Sequence, residues 1–314
     1  MKKIVALLTA MMLLLACVPA LAEGYTVGIC QFAPHVALDA ATQGFKDALN
    51  ELLPGQVTIL DQNALGEFSN VNSIIDTFVG SNVDLIMANA TPAVQAAASA
   101  TNTIPVLGTA VTHYGTALEI EDWTGVVGTN VSGTSDLAPL DQQAAMIKEW
   151  FPEVKVVGLL YCSAEANSVF QVETIAEYLK DMGIECKDFS FTDASDITAA
   201  AEAACAACDV LYVPTDNTAA NNTEAIANAV IPLGKPVIAG EEGICSGCGV
   251  ATLSISYYEL GYITGQMAVK VLTGEANIAE MAIEYAPNVT SKYNADMCAA
   301  LNITPVEGYV AIGE

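Results

Sequence analysis

The sequence predicts an α/β protein: two Rossmann-like doubly wound lobes joined by hinge strands. Three observations predict it. From Tyr25 to about Ile303, short β-branched runs alternate with longer Ala-rich helical runs. Parallel strands buried on both faces, with helical crossovers, give that rhythm. The strands end in small and polar residues, as in Met87-Ala88-Asn89-Ala90-Thr91-Pro92 and Tyr212-Val213-Pro214-Thr215-Asp216-Asn217. Open α/β sheets take ligands at that end. Finally, the rhythm restarts after a small polar crossover at Asn130–Asp136, so 314 residues hold two copies of one architecture.

The first copy reads in order. Strand Tyr25–Cys30 leads to helix Leu38–Leu52, strand Val57–Leu60 to helix Ser69–Val79, and strand Asp84–Ala88 to helix Pro92–Ala100. Pro92 suits a helix start, where its missing N–H costs nothing. Strand Val106–Thr109, a polar loop and strand Gly125–Gly128 complete this copy. In the second, helices Leu137–Trp150, Ala166–Asp181, Asp196–Ala207 and Thr218–Val230 alternate with strands Val154–Leu160, Ile184–Phe189, Asp209–Val213 and Pro236–Ala239. A Cys-bearing, Gly-rich loop precedes strand Val250–Ile255, helix Tyr257–Leu272, strand Ala282–Tyr285 and helix Asn294–Leu301. The expected division is a signal peptide at 1–22, a first lobe of 23–130 plus about 256–280, and a second of 131–255 plus about 281–314.

Met1-Lys2-Lys3 and the apolar run Ile4–Ala16 form the n- and h-regions of an export signal, with Ala20-Leu21-Ala22 as its cleavage site and Glu23 as the mature start. That run is too short to span a membrane as a helix. Leu14-Leu15-Ala16-Cys17 offers a rival lipobox that would lipidate Cys17, but bulky Leu15 fits it poorly. Soluble secretion is the favoured reading, in an extracellular or periplasmic compartment.

The chain has 36 acidic and 10 basic residues, every basic one a Lys, for a net charge of −26. That excludes a polyanion-binding surface, so no nucleic acid is expected as a partner. Without Arg, a ligand anion must be held by backbone N–H groups, hydroxyls or Lys. Cleavage after Ala22 removes Cys17 and leaves an even set of cysteines, which in an exported protein permits disulfides. Two CxxC pairs stand out, Cys205–Cys208 and Cys245–Cys248. The first ends an Ala-rich helix, which argues against zinc, and neither sits at the helix N-terminus that activates a redox thiol. A small structural disulfide between Cys245 and Cys248, in the Gly-rich loop, is expected. His35 and His113 are the only histidines, and with no local Cys or carboxylate cluster beside them no metal site or cofactor is expected.

Several segments carry a resemblance. Gly158-Leu-Leu-Tyr-Cys-Ser-Ala-Glu-Ala-Asn-Ser168, Tyr212-Val-Pro-Thr-Asp-Asn217, Ser256-Tyr-Tyr-Glu-Leu-Gly261, Asn130-Val-Ser-Gly-Thr-Ser-Asp136 and His35-Val-Ala-Leu-Asp-Ala40 followed by Gly44-Phe45 resemble motifs of an ABC-transporter substrate-binding family. The resemblance spans essentially the whole mature chain. It implies the type 1 periplasmic-binding-protein fold and a monomeric, non-catalytic receptor. Such a receptor would close on a small ligand and dock on a membrane permease. Some members of that family bind tryptophan or other aromatic amino acids. A ligand sensor of the same fold, feeding a signalling receptor, is the alternative. An enzyme is not expected: no G-x-S-x-G elbow, phosphate loop or H-E-x-x-H is present. Three cleft loops depart from the family pattern, at Gln31–Val36, Val111–Tyr114 and Gly240–Gly243, and leave the ligand's identity open.

With an amino acid as the working ligand, the strand ends supply the candidates. The N–H groups and Thr91 hydroxyl at the start of one helix, and Asn167 and Ser168 at the start of another on the facing lobe, suit a carboxylate, and Asn89 is a further ligand-binding candidate. Capping is the competing role for Thr91 and Ser168. Asp216, beside Asn217 in the family-like motif, is the first choice for the ligand ammonium, against a role as N-cap of the next helix; Glu165 and Glu241 follow. Phe32 and Tyr114 are candidates for the apolar wall, as is Tyr257. His35 and His113 are candidate hydrogen-bonding contacts.

Overall fold

The computed structural model describes residues 24–313. The export signal, its cleavage site and Cys17 lie outside the described residues. Two sheets organise the rest. The first is built from β1 (Tyr25–Gln31), β2 (Val57–Asn63), β3 (Leu85–Asn89), β4 (Val106–Val111), β5 (Val131–Ser135) and β11 (Glu284–Tyr285). Its order is β11-β5-β4-β3-β1-β2, all parallel. The second contains β6 (Val156–Cys162), β7 (Glu185–Phe191), β8 (Val210–Val213), β9 (Val237–Ala239), β10 (Ala251–Ser254), β12 (Thr290–Tyr293) and β13 (Val310–Ala311). Its order is β13-β12-β10-β9-β8-β6-β7, and β12 runs antiparallel to β10. Every residue of β3, β4, β8, β9 and β10 is buried. That is why these segments read as unbroken apolar or small runs without alternation.

Helices α1 (Val36–Leu52), α2 (Phe68–Gly80), α3 (Thr91–Ala100) and the short α4 (Tyr114–Ala117) connect the first sheet. The second carries α5 (Leu140–Trp150), α6 (Ala166–Asp181), α7 (Ile197–Ala207), α8 (Asn217–Ala220), α9 (Thr223–Val230) and α10 (Glu242–Cys248). The chain then returns to the first lobe as α11 (Tyr257–Leu272), which packs along α1, and ends in the second with α12 (Ala295–Ala300). The α1–α11 seam is close because glycines line it. A Cβ at Gly261 would overlap the Ala41 carbonyl oxygen, and one at Gly44 the Tyr258 carbonyl oxygen.

Four expectations need correction. Gly125–Gly128 is not a strand: both glycines take positive φ, +88° and +79°, which breaks an extended run, and only Val126 bridges to Ala282. The fifth strand position goes to Val131–Ser135, so the expected first-lobe limits at 130 and about 280 are short. Residues 131–135 and 284–285 belong to the first sheet. The chain therefore crosses between sheets three times, after β5, after β10 and between β11 and β12. The helix expected over Thr218–Val230 is two helices, interrupted at Asn221–Asn222, where the Asn222 amide donates back to the Thr218 carbonyl. Lastly, the Gly-rich loop is helix α10. Cys245 and Cys248 lie one turn apart on it, buried as free thiols, and Cys248 Sγ donates to the Ile244 carbonyl at 3.3 Å. The expected Cys245–Cys248 disulfide is not formed. All the cysteines among the described residues are free.

Candidate functional site

β1 lies between β2 and β3, and β6 between β7 and β8. These are the switch points where crevices open at the strand C-termini. Several buried polar side chains lie there, among them Gln31, Thr42, Asn89 and Thr91 on the first lobe and Glu165, Asn167, Ser168 and Asp216 on the second.

On the first lobe, Thr42 donates to Gln31 Oε1 at 2.6 Å, and Gln31 Nε2 donates to Asp39 at 2.6 Å. Asn89, fully buried at the end of β3, donates through Nδ2 to the Leu38 carbonyl and to Thr42 Oγ1, both at 2.9 Å. The Leu38 carbonyl accepts only, so the remaining Asn89 atom is its amide oxygen, which has no partner. Ala90 follows at φ +86°, a strained setting for a residue with a Cβ. It delivers the chain into α3, whose first residue, Thr91, is buried with an unpartnered hydroxyl. Phe32 packs its buried ring on Phe68 with centroids 5.2 Å apart.

On the second lobe, Glu165 organises the start of α8. It accepts from Asn217 N and Nδ2 at 3.1 and 2.6 Å, and from Thr218 N and Oγ1 at 2.9 and 2.8 Å. Asn167 Nδ2 donates to the Thr215 carbonyl at 3.0 Å, which again leaves an unpartnered amide oxygen. Asp216 accepts from Cys162 N at 2.6 Å and Ala219 N at 2.8 Å, one on each oxygen, and caps α8. Ser168 lies fully buried, and its hydroxyl accepts from Asn167 Nδ2 at 3.3 Å. Glu241 accepts from Gly243 N and Ile244 N and caps α10. Burial raises the Asp216 carboxyl, with the Glu165 charge adding to it, and burial raises Glu241 to about 7.

Contacts join the lobes directly. Asn217 gives its Nδ2 to Glu165, so its Oδ1 is the acceptor from His35 Nε2, 3.2 Å away on the other lobe. The His35 pKa is lowered by burial, against the raising effect of that bond. His113 stacks on Phe170 with centroids 4.4 Å apart and planes 4° apart. An open groove of about 870 Å³ flanks this interface, with His35, Glu241, Tyr257 and Lys292 on its walls.

The structure thus joins His35, Asn217, Glu165, Asn167 and Ser168 in one hydrogen-bonded chain with Asp216 next to Asn217, while Asn89 and Thr91 lie at the end of β3 and Glu241 follows β9. Tyr114 is no exposed wall: its ring is buried in the first-lobe core near Asp136, its hydroxyl donates to the Thr134 carbonyl at 3.1 Å, and it covers Gly108 and Gly133. Two residues escaped the sequence reading. Phe170 carried no distinguishing signal. Asp136, at the end of the polar crossover, is 4% exposed. One oxygen accepts from Tyr257 OH at 3.0 Å, and the other has no partner. Burial raises this carboxyl to about 6. Among the described residues no group of three His, Cys, Asp or Glu side chains is placed to hold a metal ion, and no helix is long and apolar enough to cross a membrane.

Residues 26–311 match the family model of the ABC transporter substrate binding protein. The chain is 33% identical over 283 residues to a tyrosine-binding protein of Clostridioides difficile (strain R20291), covering 88% of this chain and 81% of that one. Its fold is similar to the ABC domain of Streptococcus pneumonia in complex with L-Trp, with a TM-score of 0.87, 31% identity, and 92% and 100% of the two chains covered. Against the ligand-free, open structure of a Clostridium difficile substrate binding protein with adhesive properties, identity is 33% and coverage 92% and 99%, but the TM-score is 0.69. The chain belongs to the ABC transporter substrate binding protein family.

Proposed function

We propose that this receptor binds an aromatic α-amino acid, of the tyrosine or tryptophan class, between its lobes and delivers it to an ABC permease outside the cytoplasm. The observation that carries the reading is the set of buried, unpartnered polar atoms at facing strand ends: Asn89 Oδ1 and Thr91 Oγ1 on one lobe, Asn167 Oδ1 on the other. Unpaired buried polar groups are expensive, and a polar ligand that fills both sides offsets that cost only when the lobes close. The α-carboxylate is assigned to Thr91 and the first-turn N–H groups of α3, since a helix N-terminus holds an anion without Arg. The Phe32–Phe68 pair supplies apolar wall. The likeness to ligand-binding relatives favours transport over the signalling alternative. The protein is read as non-catalytic, monomeric, and released after Ala22.

Isothermal titration with L-tyrosine, L-tryptophan, L-phenylalanine, aliphatic amino acids and monosaccharides tests it. Saturable binding of an aromatic amino acid, at least tenfold tighter than of any aliphatic one, is the expected result. Binding of a sugar with none of the amino acids would overturn it.

A further inference from the structure

We propose that Asp136 is the anchor for the ligand's α-ammonium group; the assignment rests on the amino-acid reading above. Among the described residues four acidic side chains are buried: Asp136, Glu165, Asp216 and Glu241. Three of them spend their oxygens on the chain. Glu165 and Asp216 fix the start of α8, and Glu241 the start of α10. Asp136 alone keeps an oxygen outside hydrogen-bond geometry, with the Thr112 hydroxyl as the one neutral donor near it, while its other oxygen is held by Tyr257 OH.

A buried carboxylate normally meets a cation or a full set of donors. The groups around Asp136 supply no cation. They are Thr112 after β4, Tyr114 on α4, Tyr257 on α11 and the Glu241 carboxyl at α10. The chain has no Arg. The lysine ion pairs of the described residues, Lys46–Asp61, Lys187–Glu185 and Lys292–Glu242, involve other acids. Two further acceptors among the buried interlobe residues lack donors, Asn89 Oδ1 and Asn167 Oδ1. Both amides are locked with oxygen free, because their nitrogens donate to backbone carbonyls. A surplus of acceptors matches a donor-only group, and a primary ammonium carries three N–H donors. Placing that anchor at the first crossing between lobes also couples cation binding to the segment about which they close.

A consequence separates this from a merely structural role. Burial without a counter-charge raises the Asp136 carboxyl to about 6. An arriving ammonium favours the charged form, so binding near pH 6 releases a proton.

The test pairs L-tryptophan and L-tyrosine with their deamino analogues, indole-3-propionate and 3-(4-hydroxyphenyl)propionate. Each is titrated into the unaltered protein and into Asp136→Asn, at pH 6 and pH 8, in buffers of differing ionisation enthalpy. The Asn keeps an acceptor for Tyr257. The unaltered protein is expected to prefer the amino acid over its analogue by at least tenfold and to release a proton at pH 6. The variant should lose roughly ten- to a hundredfold in amino-acid affinity, change little toward the analogue, and bind without that proton release. Equal loss for both ligands, or unchanged amino-acid affinity in a folded variant, overturns the assignment alone. If the variant does not fold, the unaltered protein still decides: an analogue that binds as tightly as its amino acid overturns the assignment. Failure of the unaltered protein to bind either amino acid overturns the functional reading, and the assignment with it.

Discussion

Asp216 shows how one acidic side chain serves two backbone donors. Cys162 N, at the end of β6, takes one oxygen, and Ala219 N, in the first turn of α8, takes the other. Asp216→Asn therefore does more than remove charge. Its amide has one accepting atom, so an N–H of the buried loop is left facing an NH₂ group. The ligand-free variant is expected to lose about 1–3 kcal/mol, read as a lower denaturation midpoint; an unchanged midpoint would show that the two bonds carry no weight. Here the limit of the sequence is physical. An acid between a buried strand and a helix is the natural position for a cap and for a ligand contact alike, so residue order alone does not separate them. Glu241 was harder still, because Glu is not a preferred N-cap, yet it holds two first-turn donors of α10. Asp136 ends the polar crossover that starts at Asn130, but nothing local reveals that one of its oxygens lies outside hydrogen-bond geometry.

At the scale of elements, strand–helix order was legible because doubly buried parallel strands leave unbroken apolar runs and the helices are rich in Ala. The losses have identifiable causes. The glycines at 240, 243, 247 and 249 depress helix propensity, which hid α10 and invited a loop disulfide. The lobe of residues 131–135 and 284–285 was invisible because it depends on non-local pairing between β4, β5 and β11. The α1–α11 seam gives an element-level prediction. Gly261→Ala inserts a methyl group against the Ala41 carbonyl, which belongs to helix backbone and cannot swing aside. The helices must separate, at a cost of about 1–3 kcal/mol. Urea unfolding should show a lower midpoint at unchanged slope; an unaltered midpoint would mean that the seam has slack.

Across the whole molecule the buried acids set the pH response of the ligand-free protein. Burial raises Asp136 to about 6 and Glu241 to about 7, and burial with the Glu165 charge raises Asp216. A carboxyl raised in the folded state binds protons more tightly there than in the unfolded chain. Its stabilising effect is complete below the ordinary carboxyl range and is lost as pH climbs through the raised value. His35 and His113, both lowered by burial, oppose this below their ordinary pKa of 6.5. Three raised acids face two lowered histidines, and protonation also relieves the repulsion of a chain with net charge −26. Melting temperature without ligand should therefore be higher at pH 5.5 than at pH 7.5; the reverse order would show that these carboxylates are compensated by groups other than those described. Asp209, held low by N–H donors from Lys155 and Val156, acts in the opposite sense only at more acid pH.

The three crossings between sheets constrain the order in which the protein can be assembled. Strands β6 to β10 form an unbroken stretch, residues 156–254, so the second lobe's central layer can form from consecutive chain. The first lobe cannot. The face of α1 waits for α11, and β5 waits for β11, more than 140 residues downstream of it in sequence. Synthesis begins with the first lobe, yet that lobe is completed only after the second lobe's central layer has been made. A chain interrupted before Tyr257 keeps strands β6 to β10 and leaves Gly44 and its neighbours on α1 bare, a surface open to chaperones and proteases until the final fifth of the protein arrives.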